Sequence, residues 1–67
     1  MKIYLNDETL EIQEGETIAG LLETMALEQV SGVAVAVNDE VVRRSDWKSQ
    51  RLAGEDRVLL IAPIQGG

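Results

Sequence analysis

Cysteine, histidine and phenylalanine are all missing from this sequence, and much chemistry goes with them. Without thiols there is no disulfide and no thiolate nucleophile. Without thiols and imidazoles there are no zinc, iron-sulfur or haem sites of the Cys or His type. Aromatic residues are down to Tyr4 and Trp47, too few to build a stacking platform for single-stranded nucleic acid. Positive charge is scarce as well. Six Lys and Arg stand against twelve Asp and Glu, for a formal net charge of -6, so phosphate backbones and anionic lipid surfaces repel the chain. No apolar run approaches the roughly 20 residues of a membrane span, and Met1-Lys2-Ile3 opens into alternating structure rather than a signal-peptide core. The expectation is a soluble cytoplasmic protein, monomeric when free, with no nucleic acid and no membrane among its partners.

What remains is enough apolar side chain for one core. A chain of 67 residues, 45% of them hydrophobic, holds one small domain, which buries only about 60% of its unfolded surface and needs every apolar position. Met1, Ile3 and Leu5 alternate with Lys2 and Tyr4, the period-two pattern of a half-buried strand. Asn6-Asp7-Glu8 reads as a turn, and Leu10 and Ile12 give the return strand of an antiparallel hairpin. After Glu14-Gly15, Thr17 is a candidate N-cap, with Glu14 and Glu16 complementing the positive helix end. Ile18, Leu21, Leu22 and Met25 then form an apolar stripe that can lie across the hairpin. Gly20 within this helix reads as tolerated rather than required.

Residues 33–37 alternate Val with Ala, a strand with one small-residue face. Asn38-Asp39-Glu40 is a second turn, and Val41-Val42 a short strand ended at the surface by Arg43-Arg44. Ser45 is a candidate cap for a brief helical turn through Asp46, Trp47 and Lys48. Trp47 then covers the core edge where its N–H reaches an acceptor, with Leu52 as a companion anchor before the polar turn Gly54-Glu55-Asp56. Val58-Leu59-Leu60-Ile61 is apolar throughout, as a central strand with neighbours on both sides requires. Beyond it, Pro63 lacks a backbone donor. The expected organisation is a domain over 1–62 and a flexible tail over 63–67. The order strand, strand, helix, strand, short strand, helical turn, strand predicts an α+β fold: a β-grasp, with a mixed sheet of four to five strands and one helix packed across it.

No side-chain constellation suggests catalysis. Asp39-Glu40 and Glu55-Asp56 sit in polar turns and read as solvated surface rather than acid/base pairs, and a core this small offers little concavity. The chemical interest lies in Gly66-Gly67. From average glycine usage, such a pair at the end arises by chance in roughly 0.5% of chains. A frayed end or a tag remnant would also produce it. A terminal carboxylate is an anionic oxygen nucleophile at neutral pH, and two residues without Cβ let it thread a narrow channel. Attack on the α-phosphate of ATP would give an acyl-adenylate, whose carbonyl a sulfur nucleophile can displace. A carrier of this kind needs no catalytic residues of its own. If Val58 and Leu60 face the helix, Leu59 and Ile61 point outward beside Tyr4 and form a candidate partner surface at the root of the tail.

The sequence resembles the ubiquitin-like sulfur carriers, and most closely the ThiS family. The resemblance covers essentially all 67 residues. It rests on the short opening with Asn6-Asp7, the Gly15-Glu16-Thr17 helix start with Leu21-Leu22, Val35-Ala36-Val37-Asn38, Val42-Arg43 followed by Trp47, and the Gly-Gly end. It implies a protein co-substrate rather than an enzyme. Gly67 would be adenylated by an E1-like, ThiF-like adenylyltransferase that uses ATP and Mg, with no stably bound cofactor or metal on the carrier itself. A sulfur donor such as a cysteine desulfurase would convert it to a thiocarboxylate, which passes sulfur to a ThiG-like thiazole synthase. Ile64, Gln65 and Gly66 would thread the partner's active site. Two departures stand out. The family usually has Gly directly before the Asp that opens the last strand, where this chain has Glu55. The tail Ala62-Pro63-Ile64-Gln65-Gly66-Gly67 also resembles the molybdopterin synthase small subunit, the MoaD family. That pathway, a passive interaction module with an incidental Gly-Gly end, and a modifier joined to lysines remain alternatives.

Overall fold

The structure, a computed structural model, describes residues 1–63. Strand β1 (Lys2–Leu5) and strand β2 (Glu8–Glu11) form the expected hairpin, with Ile3 opposite Leu10 and Tyr4 opposite Thr9. Asn6 and Asp7 both take positive φ, 49° and 69°. That twist matches the right-handed twist of the strands, and Asn and Asp tolerate it better than other residues that carry a Cβ.

Helix α1 (Ile18–Thr24) starts where expected: the Thr17 hydroxyl accepts from the Gly20 N–H at 3.0 Å. It ends one residue early. Met25 is the C-cap and 37% exposed rather than the last member of the buried stripe, which stops at Leu22. The cause is local. Ala26 turns left-handed at φ 59°, so its N–H reaches the Glu23 carbonyl and that of Leu27 the Leu22 carbonyl, a closed C-terminal cap of the kind usually built on glycine. At Gly20 an added Cβ would run into the Glu16 carboxyl group, the far end of a movable side chain, which agrees with a tolerated glycine.

Strand β3 (Ala34–Val37) and strand β4 (Glu40–Val42) are joined by Asn38-Asp39, again at positive φ. Val33, Val35, Val37 and Val42 turn inward and are buried. The helical turn that follows is a 3-10 turn over Arg44–Asp46, entered from Arg43 without any side-chain cap. Ser45 lies inside the turn and is not its cap, contrary to expectation; the turn begins at Arg44, two residues too early for Ser45 to act. Trp47 is where the sequence places it, 5% exposed, with its Nε1–H donating to the Val42 carbonyl at 3.0 Å.

Strand β5 (Arg57–Ile61) lies at the centre of a five-stranded mixed sheet of order β2-β1-β5-β3-β4, parallel to β1 and antiparallel to β3. Glu55 takes φ 68° in the turn before it. A left-handed turn conformation, one that favours Gly, is thus supplied here by a Glu. Ile3, Ile18, Leu22 and Val35 are the most deeply buried side chains, and Leu21, Trp47, Leu52, Val58 and Leu60 complete the core between helix and sheet. The helix covers one face of the sheet; the other is open.

Candidate functional site

The open face follows from strand phase. In β5 the burial alternates, with Val58 and Leu60 inward and Arg57, Leu59 and Ile61 exposed, as a strand covered by a helix on one side only must behave. Leu59 is 52% and Ile61 58% exposed. Tyr4, on neighbouring β1, is opposite Arg57, and with Leu59 lines a shallow groove of ≈ 560 Å³. The three expected surface residues therefore share one face.

The pairing register adds residues that were not anticipated. Ala36 lies opposite Leu59 on one side and opposite Val41 on the other, and Ala34 lies opposite Ile61. Val41 is 81% exposed, so an apolar band runs from β5 across β3 to the β4 edge. The signal was present: in the pair Val41-Val42, one member must face outward because the side chains of a strand alternate. Which one does so depends on the register with β3. The small alanines leave Leu59, Ile61 and Val41 standing proud of the band.

Charges border the band. Arg57 pairs with Asp39 at 3.2 Å. Lys2 lies 5.1 Å from the centre of the Tyr4 ring and 3.7 Å from the Glu55 carboxylate. The Tyr4 side chain first, and then the Glu55 charge, hold the Lys2 pKa above its ordinary value, so it stays cationic at neutral pH. Among the described residues no group of three or more acidic, His or Cys side chains is placed to hold a metal ion, and no helix is long and apolar enough to cross a membrane. Ile64, Gln65, Gly66 and Gly67, the expected threading and modified residues, lie outside the described residues; β5 and the two residues after it lead toward them.

A five-stranded mixed sheet grasping one helix, with the last strand at its centre and a Gly-Gly sequence beyond it, defines a protein of the ubiquitin-like β-grasp class. More narrowly, the chain belongs to the ThiS family, which it matches over residues 2–67. It is 34% identical over 67 residues to the sulfur carrier protein ThiS of Escherichia coli K12, an alignment that covers the whole of both chains. Its fold is similar to the crystal structure of the thiamine biosynthesis protein ThiS from Geobacter metallireducens, with a TM-score of 0.82 at 23% identity and full coverage of both chains. The fold also resembles SAMP1 from Haloferax volcanii, with a TM-score of 0.57 at 14% identity over 98% of this chain and 97% of that one.

Proposed function

We propose that this protein is a sulfur carrier for thiamine biosynthesis and that its reactive atom is the carbonyl carbon of Gly67. The observation that carries the reading is the full-length match to the ThiS family, running through Gly66-Gly67. The Gly67 carboxylate attacks the α-phosphorus of ATP on an activating enzyme, and pyrophosphate leaves. A hydrosulfide-level nucleophile from a sulfur-donor protein then attacks the carbonyl carbon. AMP leaves with the bonding pair, and the chain ends in a thiocarboxylate for thiazole synthase to consume.

Mg-ATP, the transition-state electrostatics and the sulfur come from partners; this chain contributes recognition and a narrow reactive end. The band Leu59, Ile61, Ala36 and Val41 beside Tyr4 supports the recognition role, because it sits on the strand that leads to the tail. Lys2 and Arg57 at its border favour a partner surface that pairs apolar contacts with a few acidic groups. The test is direct: incubate the protein with Mg-ATP, an E1-like activating enzyme and a sulfur donor, then measure intact mass. Replacement of one terminal oxygen by sulfur supports the carrier. An unchanged mass with the enzyme proven active on another carrier rejects it, and adducts at Lys2 or Lys48 would point to a lysine modifier.

A further inference from the structure

Strand β1 is too short to hold the end of β5. The two strands pair only at Tyr4–Arg57 and Leu5–Val58, after which β1 turns away into β2. The last main-chain bond from this side runs from the Asn6 N–H to the Val58 carbonyl at 2.9 Å. One step further along, a side chain takes over. The Asn6 amide donates through Nδ2 to the Leu60 carbonyl at 3.0 Å, and its Oδ1 accepts from the Leu60 N–H at 2.8 Å. A carboxamide carries one acceptor and a donor in the arrangement of a peptide group, so Asn6 extends the parallel ladder by one rung after its own main chain has left the sheet. Its left-handed φ of 49° is what turns the amide toward β5.

At the other end of the same strand stands a matching device. Asn38, at φ 50° in the β3–β4 turn, accepts from the Arg57 N–H through Oδ1 at 3.0 Å and donates to Asp56 at 2.9 Å. The two asparagines thus clamp β5 at its two ends, and only Asn6 stands at the end that leads to the tail. Beyond Ile61, the Pro63 ring lies against Gly32, close enough that a Cβ at position 32 would touch it at 3.6 Å.

We infer that Asn6 is a positioning residue for delivery of the C-terminal carbonyl: by pinning Leu60 from the β1 side it fixes the direction in which β5 leaves the sheet. The inference rests on the carrier reading above. Releasing Leu60 would leave the end of β5 held from the β3 side alone, loosen the direction in which β5 leaves the sheet and lower the effective concentration of the terminal carboxylate at the ATP α-phosphate. Asn6 also lines the groove beside Tyr4 and Leu59, but the exposed apolar side chains of Leu59, Ile61 and Val41 stay in place.

The experiment compares Asn6→Gly with Asn38→Gly, since glycine accepts the left-handed turn at both positions and removes only the side chain. The activating enzyme's pyrophosphate release is measured against carrier concentration, and amide hydrogen exchange is followed at Leu60. For Asn6→Gly the expected result is a kcat lowered about tenfold with KM within about twofold of the parent, together with faster exchange at Leu60. Asn38→Gly should leave kcat and Leu60 exchange unchanged, and Asn6→Asp, which keeps the acceptor but not the donor, should fall between. If the parent is activated and Asn6→Gly matches it, or if both glycine variants lose kcat equally, the positioning role is refuted. If the parent itself is not activated, the carrier reading falls and this role falls with it; circular dichroism separates either result from misfolding.

Discussion

Trp47 shows most clearly how much one side chain can hold in so small a protein. Its indole is buried against the core, its N–H satisfies the Val42 carbonyl, and the Arg44 guanidinium lies 4.7 Å from the ring centre. Arg44 also donates to the Val30 carbonyl at 2.9 Å, so the residue ties the segment after the helix to the 3-10 turn. Trp47→Ala should cost about 4 kcal/mol, against a total of roughly 3–10 kcal/mol for a domain of this length. Urea unfolding should show the free energy of unfolding lowered by about that amount relative to the parent, and a loss under about 1 kcal/mol would contradict this account. Lys2 makes a different prediction. Its pKa is raised in the folded state by Tyr4 and Glu55, so its contribution is complete below the ordinary value of 10.5 and disappears as pH rises through the higher folded value. The difference in urea midpoint between the parent and Lys2→Met should be constant from pH 7 to about 9 and shrink at higher pH. A difference that grew with alkalinity would have the wrong sign.

At the scale of elements, the helix is the part most limited by its ends. Its first turn has the Thr17 cap, yet its last turn closes through Ala26 at φ 59°, a conformation that costs an L-residue about 1–2 kcal/mol and costs glycine little. Ala26→Gly should therefore stabilise the protein by about 0.5–1 kcal/mol once the greater unfolded-state freedom of glycine is subtracted. A thermal melt that shifts downward would show that Ala26 makes contacts worth more than the strain. The expectation of a helix through Met25 failed for the same reason: a stripe of Ile18, Leu21, Leu22 and Met25 marks a helical face, but it does not say where the backbone turns left-handed. Ser45 failed in a related way. A serine before an acidic residue is a sound cap in isolation, but the strand leading into it ends at Val42 and the turn starts at Arg44. The strands were easier to read, because alternation is short-range and the turns Asn6-Asp7 and Asn38-Asp39 carry residues that accept positive φ.

For the whole molecule, the proposed carrier role leans most on the open face of the sheet. Leu59→Glu places a charge in the middle of the apolar band and should weaken activation by the E1-like enzyme at least tenfold, as about 1.4 kcal/mol of lost docking would, while Glu28→Lys, on the loop after the helix, should leave it within about twofold. Measuring KM for both variants decides the matter, and equal effects would remove the band from consideration as a docking site. Local pattern was sufficient for most of the fold: period-two alternation marks the strands, the 3.6-residue stripe marks the helix, and an all-apolar final strand marks the sheet centre. Each is a statement about near neighbours in the chain, and those constraints act before any tertiary contact forms. Strand pairing across the sheet is a different kind of fact. That Ala36 separates Leu59 from Val41, and that the Asn6 amide finishes a ladder with Leu60, 54 residues away, depends on register between distant segments. Only burial of the whole core against helix α1 sets that register, because a slip of one residue would turn every valine of β3 out into water.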